Sequence, residues 1–189
     1  LAVNRKMLKM SEPPTLVPGL VRAGGKILLG GPVKTAKSIF AMNLSLNLAW
    51  GRPWIGKNFH TSRKVLHIDN EVDSWELKSR FFGLADVEQD GPAEYPPNLH
   101  RLSLRDRPDL CDRAKLLEVI RSYDKRHGYD LICVDCLYLL MSDLDENSNS
   151  DLSRLSAWFA ALGERGAALL VVHHFSKGIS HEKSIWDRF

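Results

Sequence analysis

The stretch that decides the fold is "GGPVKTAKS", residues 30–38, which directly follows the apolar run "KILL" at residues 26–29. It matches the phosphate-binding pattern G-x-x-x-x-G-K-[ST] except at Ala36, which stands where the pattern has its second glycine. A loop of this kind surrounds a phosphate with backbone N–H groups and with the positive end of a helix dipole. The pattern therefore predicts a strand, a tight turn and a helix in succession.

Within this loop, Gly30 and Gly31 are expected to allow the sharp turn, Lys37 to reach the outer phosphates, and the Ser38 hydroxyl to ligate Mg²⁺. Alanine at position 36 costs nothing in right-handed torsions but about 1–2 kcal/mol in left-handed ones. We expect the right-handed conformation, because Ala36 immediately precedes the helix. A glycine turn with a solvated lysine is the alternative. The residues predicted to bind the nucleotide are Gly31, Pro32, Val33, Lys34, Thr35, Ala36, Lys37, Ser38 and Ile39.

The segment after the loop is ambiguous, because "FAMNLSLNL" at residues 40–48 alternates apolar and polar residues with the period of a strand. A strand here would leave the loop without a helix start, so we predict a helix. Helical spacing also collects apolar residues on one face, namely Ile39, Met42, Leu46 and Ala49.

Four apolar runs that each end in polar residues are predicted to be buried parallel strands: "KILLGG", "KVLHIDNE", "DLICVDC" and "ALLVVHH". The segment "NLHRLSL" adds a possible short strand. Helical segments separate these runs at residues 73–84, 112–127 and 150–166. Alternating strands and helices predict a doubly wound, three-layer α/β domain with a mainly parallel central sheet.

The helical segments carry their own boundary signals. Asp73 and Glu76 form a capping-box arrangement, and Gly128 is a natural helix end. The predicted buried stripes are Leu77, Phe81 and Leu84; Leu116, Ile120 and Tyr123; and Leu152, Leu155, Phe159 and Leu162.

Carboxylates stand at the ends of two predicted strands, where an open α/β sheet binds its ligands. Asp135 follows "LICV" and is predicted to help hold Mg²⁺ together with Ser38. Asp69 and Glu71 are both candidates for activating an attacking water. Glu71 is preferred because it lies at the exit of its strand, and a helix cap or surface carboxylate is the alternative.

His173 and His174 end the last predicted strand, so their rings point to opposite faces. One of them is expected to hydrogen-bond the outer phosphate or the water; one packed and one solvated ring is the alternative. A zinc site with His181 is not favoured, because no cysteine lies nearby and the spacing is not standard. Cys133 and Cys136 are three apart on a strand, which argues against a redox pair.

The composition sets wider limits. The 189 residues are 44% hydrophobic and 26% charged, which suits one α/β domain. The net charge of +3 permits a nucleic-acid partner without arguing for one. We expect residues 1–24 to be an irregular arm, broken by prolines and glycines, and residues 25–189 to be the core, truncated at its C-terminus. Neither a membrane span nor a secretion signal is evident, so a cytoplasmic protein is expected.

Four motifs, "GPVKTAKS", "HIDNE", "LICVD" and "VVHHFSKG", in this order and at these distances, resemble the core of RecA-like P-loop ATPases. The branch with the closest resemblance contains the hexameric plasmid replicative helicase RepA. This resemblance implies that Lys37 and Ser38 bind ATP and Mg²⁺, that Glu71 is the catalytic carboxylate and that Asp135 is the second acidic motif. His174, or His173, would sense the γ-phosphate. Ala36 departs from the family pattern, as does the absence of the "GSG"-like stretch that precedes an arginine supplied in trans.

The same resemblance implies a homo-oligomer, usually a hexameric ring, with single-stranded DNA in its channel. The segment "FSKGISHEKSIWDRF" at residues 175–189 mixes cations with an aromatic, as single-strand binders do, and a surface loop is the alternative. Three functions remain open: a DNA motor ATPase, a regulatory ATPase or kinase acting on protein, and a nucleotide-dependent assembly module.

Overall fold

The structure is a computed structural model that describes residues 13–58, 61–87, 95–141, 143–144 and 148–174. Its strands are β1 (Thr15–Val17), β2 (Val21–Arg22), β3 (Lys26–Gly31), β4 (Val65–Asp69), β5 (Leu99–Ser103), β6 (Leu131–Asp135) and β7 (Ala168–His174). Its α-helices are α1 (Lys37–Trp50), α2 (Ser74–Val87), α3 (Arg113–His127) and α4 (Asn149–Leu162). Short 3₁₀ helices span Pro108–Cys111 and Tyr138–Met141.

Five strands form a wholly parallel sheet in the order β3-β7-β6-β4-β5. Gly31 lies beside His174 in this register, and Asp69 lies beside Asp135. Because the strands are parallel, their polar carboxyl ends meet at one edge of the sheet. The predicted α/β fold with a mainly parallel sheet is confirmed, and each of the five predicted runs forms a strand.

The helices cover the sheet on both faces, and alternate strand residues enter two separate cores. One core joins residues of α1 and α2 to Cys133, Leu170 and Val172. The other joins residues of α3 and α4 to Ile132, Leu169 and Val171. The domain is therefore three-layered, and successive residues of a strand point toward different helices.

Helix α1 is helical, as the preceding loop requires, although its sequence alternates like a strand. Its polar residues are buried and hydrogen-bonded: Ser45 Oγ donates to Ala41 O at 2.8 Å, and Asn47 Nδ2 donates to Asn43 O at 3.0 Å. The period-two pattern thus reflects a helix buried on most of its surface. Ile39 is 45% exposed, so it does not belong to the buried face predicted for it.

The other helices begin at the predicted caps. Asp73 Oδ1 accepts from Glu76 N at 2.8 Å at the start of α2, and α3 ends at Gly128 with a left-handed φ of 68°. Tyr123 is 41% exposed rather than part of the buried stripe. Helix α4 ends at Leu162, earlier than Gly166, which was predicted to close it.

Part of the predicted irregular arm is regular. Strands β1 and β2 pair antiparallel, and Leu16, Val17 and Val21 are at most 2% exposed within the core under α1. Apolar burial thus orders a segment that its prolines predicted to be irregular. Residues 1–12 lie outside the described part, and the boundary at residue 24 stays a prediction.

Candidate functional site

The loop between β3 and α1 is closed by its own side chains. Lys37 is only 6% exposed, and its Nζ donates to Pro32 O at 2.5 Å and to Thr35 Oγ1 at 3.2 Å. Thr35 Oγ1 in turn donates to Pro32 O at 2.8 Å. Among the hydrogen bonds of the described residues, the Lys37 ammonium therefore has only neutral oxygens as partners.

The backbone of the loop differs from the expected one. Ala36 adopts φ 59° and ψ 20°, which is left-handed, and Lys34 is left-handed with φ 61°. Gly30 and Gly31 belong to β3 and have no positive φ. The expectation of right-handed torsions at Ala36 is wrong, because the turn places its unusual torsions one residue before the helix. Alanine there costs about 1–2 kcal/mol relative to the right-handed form.

Helix α1 begins without a side-chain cap. Ala36 provides no capping oxygen, and the first turn holds no acidic residue. The first N–H groups of the helix therefore have no capping side chain at residue 36, and the Lys37 ammonium is bound within the same loop. This end of α1 carries partial positive charge that suits an anion.

Asp135, at the end of β6, is 1% exposed, and neither of its carboxylate oxygens accepts a hydrogen bond of normal geometry from the described residues. Burial raises its pKa from 3.8 to about 7; the Ser38 hydroxyl and the Lys37 charge pull that pKa down, while Asp69 and Glu71 push it up. A buried carboxylate without a well-formed hydrogen bond, close to a serine hydroxyl, offers the oxygen ligands that Mg²⁺ prefers. Ser38 and Asp135 therefore fit a divalent cation.

Asp69 has a structural task. Its Oδ1 accepts from Glu71 N at 2.8 Å and from Val72 N at 2.9 Å, which turns the chain out of β4. Burial raises its pKa, and these backbone donors oppose the rise. The turn carries the Glu71 side chain out of the strand and toward the sheet edge.

Glu71 meets His174 and Cys136 at that edge. Glu71 Oε1 lies 3.3 Å from His174 Nε2 and accepts from Cys136 Sγ at 3.2 Å. The Glu71 side chain is 44% exposed and that of His174 is 18% exposed. His173 is buried on the opposite face of β7, at 5% exposure. The structure therefore brings His174, rather than His173, to Glu71.

Two buried residues beside the acids were not among the predicted site residues. The Asn70 side chain forms two hydrogen bonds with the backbone of Cys136: its Oδ1 accepts from Cys136 N at 3.0 Å, and its Nδ2 donates to Cys136 O. His67, fully buried, has Nδ1 3.1 Å from Ser45 Oγ and ligand atoms within 4.8 Å of Asp69 and Asp135. Burial lowers the pKa of His67 to about 3. His67 could have been found, because it stands two residues before Asp69 and shares its strand face.

Comparisons with known proteins identify the family and the fold of the chain. Residues 2–179 match the family described as AAA domain. The chain belongs to the AAA domain family. This AAA domain also resembles the crystal structure of a KaiC-like protein from the hyperthermophilic archaeon Pyrococcus horikoshii, with a TM-score of 0.58. The two share 17% sequence identity over 88% of this chain and 68% of the other, so the likeness concerns the fold. No curated protein matches this sequence.

The AAA domain thus has the RecA-like ATPase fold that its motifs resembled. Within the described part of the chain, no helix is long and apolar enough to cross a membrane. Some predicted residues lie outside the described residues: His181 and the cationic and aromatic group Lys177, Lys183, Trp186 and Arg188.

Proposed function

We propose that this AAA domain binds ATP with Mg²⁺ at the loop 31–39 and hydrolyses it. The observation that carries the proposal is the buried carboxylate of Asp135, which accepts no hydrogen bond of normal geometry from the described residues and lies near the uncapped, cationic start of α1. Burying an unpaired carboxylate is costly, and a cation at this point offsets that cost. A triphosphate with its metal supplies the anion for α1 and the cation for Asp135 together.

The residues of the candidate site have separate roles in this proposal. Backbone N–H groups of residues 31–39 and the Lys37 ammonium bind the phosphates, and Lys37 exchanges Pro32 O for phosphate oxygens. Ser38 and Asp135 hold Mg²⁺, which neutralises charge on the phosphate oxygens when bound.

Glu71 is the proposed general base. Its carboxylate is partly exposed at the sheet edge, where a water molecule can reach it. His174 is the proposed sensor of the outer phosphate, since its Nε2 already lies next to Glu71. If the His174 ring leaves Glu71 and contacts a phosphate oxygen instead, the state of the nucleotide is linked to the chain after β7. His173 is the less favoured sensor, because it is buried on the other face.

We further propose that the domain works in a hexameric homo-oligomer as a motor on single-stranded DNA, within the branch of the plasmid replicative helicases. Large exposed apolar side chains follow the carboxyl ends of three strands, as surfaces for a neighbouring subunit would: Val33, Ile39, Trp75 and Tyr138. In this arrangement the neighbour supplies an arginine that accelerates hydrolysis by about 10³–10⁵.

The test measures ATP turnover with and without single-stranded DNA over a salt series. We expect single-stranded DNA to stimulate ATP turnover and its affinity to fall as the salt concentration rises. The logarithm of the DNA-binding constant should fall against the logarithm of the salt concentration with a slope of roughly −0.7 per phosphate contact. Glu71→Gln should lower turnover by about 10²-fold or more while ATP binding persists. Glu76→Gln, at an exposed glutamate on α2, is the matched control and should not change turnover. Turnover that ignores DNA at every salt concentration contradicts the motor.

A nucleotide-dependent assembly module is the second candidate. It is favoured by one observation: the same Glu71 oxygen that would activate water already contacts Cys136 and His174. ATP binding that drives oligomerisation in sedimentation, with turnover absent even in the assembled state, would support this candidate. Transfer of phosphate to a protein substrate would instead indicate a regulatory kinase.

A further inference from the structure

We propose that Glu71, Cys136 and His174 form a binding site for a thiophilic divalent metal such as Zn²⁺, distinct from the proposed Mg²⁺ site at Ser38 and Asp135. The three side chains come from the exits of β4, β6 and β7, and their ligand atoms all lie within 4.8 Å of one another. This combination of imidazole, thiolate and carboxylate suits zinc, whereas Mg²⁺ prefers oxygen ligands alone.

Two of the three donor separations match tetrahedral coordination. Metal–ligand distances of about 2.0–2.1 Å for nitrogen or oxygen and about 2.3 Å for sulfur require ligand atoms roughly 3.3–3.6 Å apart. Glu71 Oε1 lies 3.3 Å from His174 Nε2 and 3.2 Å from Cys136 Sγ. These two separations need only a few tenths of an ångström of movement, and the third pair, Cys136 and His174, has ligand atoms within 4.8 Å of each other. Three protein ligands leave the fourth position for water.

The surroundings define both access and affinity. The Glu71 side chain is 44% exposed, so an ion can enter past it, whereas Cys136 is fixed by its two backbone hydrogen bonds to Asn70. Burial raises the pKa of the Cys136 thiol to about 12, and coordination would release that proton to solvent. When His174 binds through Nε2 its proton moves to Nδ1, which has no acceptor among the described residues. We therefore expect weaker binding than at a structural zinc site.

Such a site would regulate the proposed hydrolysis. A metal held by Glu71 and His174 takes both groups away from water and phosphate, so ATP could bind while turnover stops. This regulatory consequence rests on the proposed function. Metal binding itself does not, and the two are therefore tested separately.

The experiment titrates the nucleotide-free chain with Co²⁺, a spectroscopic substitute for Zn²⁺, and records thiolate-to-cobalt charge transfer in the near ultraviolet. We expect one equivalent of Co²⁺ to produce the band, Zn²⁺ to displace it, and Cys136→Ser to abolish it. His174→Gln, at a less buried residue, should weaken Co²⁺ binding at least tenfold. Cys111→Ser, which removes an exposed thiol outside the site, is the matched control and should retain the band.

A band that survives in Cys136→Ser, or no band in the wild-type chain, overturns the metal site. Far-ultraviolet circular dichroism checks that each variant is folded, and the His174→Gln result decides the matter if Cys136→Ser does not fold. Binding of a fluorescent ATP analogue with Mg²⁺ is measured in parallel. If the wild-type chain shows the cobalt band but does not bind the ATP analogue, the proposed function is contradicted and the metal site is retained.

Discussion

Helices α1 and α3 begin in opposite ways. At α3, the Asp112 side chain accepts from Ala114 N at 2.9 Å and from Lys115 N at 3.0 Å, so its first N–H groups are satisfied. At α1, Ala36 offers no side-chain acceptor and adopts a left-handed φ of 59°. Among the four α-helices of the described residues, α1 alone begins without a side-chain cap.

The difference separates stability from function. A capped start stabilises its helix by about 1 kcal/mol and leaves nothing for a ligand. The uncapped start of α1 gives up that stabilisation and keeps its donors for an anion. The two helix starts also differ in their nearby carboxylates, Asp135 at α1 and Asp112 at α3. They differ likewise in their nearby lysines, Lys37 at α1 and Lys115 at α3. Each pair can be compared by mutation.

The two carboxylates should give the largest difference. Asp135 has a folded-state pKa of about 7 because of burial, so its stabilising contribution is complete below about pH 4 and is lost as the pH rises through 7. Asp135→Asn has no ionisable group at this position, so the variant does not lose this stabilisation as the pH rises. We expect the free energy of unfolding of the variant, relative to wild type, to rise by about 3–4 kcal/mol from pH 4 to pH 7 in metal-free buffer.

Chemical denaturation at several pH values measures this difference. Comparing variants is necessary because buried His67, whose pKa is lowered to about 3, gives an opposite slope in every variant. Asp112→Asn is the control: backbone hydrogen bonds lower the pKa of Asp112, so its stabilising contribution is lost only as the pH falls below about 4. Its relative stability should stay flat from pH 4 to pH 7. A flat profile for Asp135→Asn would show that the buried carboxylate is compensated in the folded chain.

The two lysines should differ next. Lys37→Ala removes a charge-assisted contact to phosphate worth about 2–3 kcal/mol, or about 30- to 150-fold in affinity for ATP with Mg²⁺. Lys115→Ala, in the first turn of capped α3, should leave that affinity unchanged. Isothermal titration calorimetry on both variants checks the comparison. Equal effects would mean that Lys37 acts only through the net charge of the chain.

The sequence predicted what depends on neighbouring residues. Continuous apolar runs identified the strands, and Asp73 and Gly128 identified helix ends, because these signals act within one turn or one strand. Burial against distant elements was harder to predict: Tyr123 and Ile39 have the spacing of buried residues but no partner element covers them fully.

Proximity across strands was the least predictable feature. Zinc was not favoured because no cysteine is close to the histidines in sequence, yet β6 and β7 are neighbours and place Cys136 within 4.8 Å of His174. The torsions of Ala36 were predicted wrongly for a related reason. They depend on how the loop closes around Lys37, and a single-residue preference contains no information about that closure.

The two residues that precede the helices should differ least, and with opposite signs. Ala36→Gly removes left-handed strain of about 1–2 kcal/mol, offset by about 0.4–1 kcal/mol of added entropy in the unfolded chain. We expect a net stabilisation of about 0.5–1 kcal/mol, whereas Asp112→Ala should destabilise by about 1 kcal/mol through loss of its cap. Thermal and urea unfolding measure both. Destabilisation by Ala36→Gly would mean that the alanine methyl packs favourably in the loop and that its torsions carry no strain.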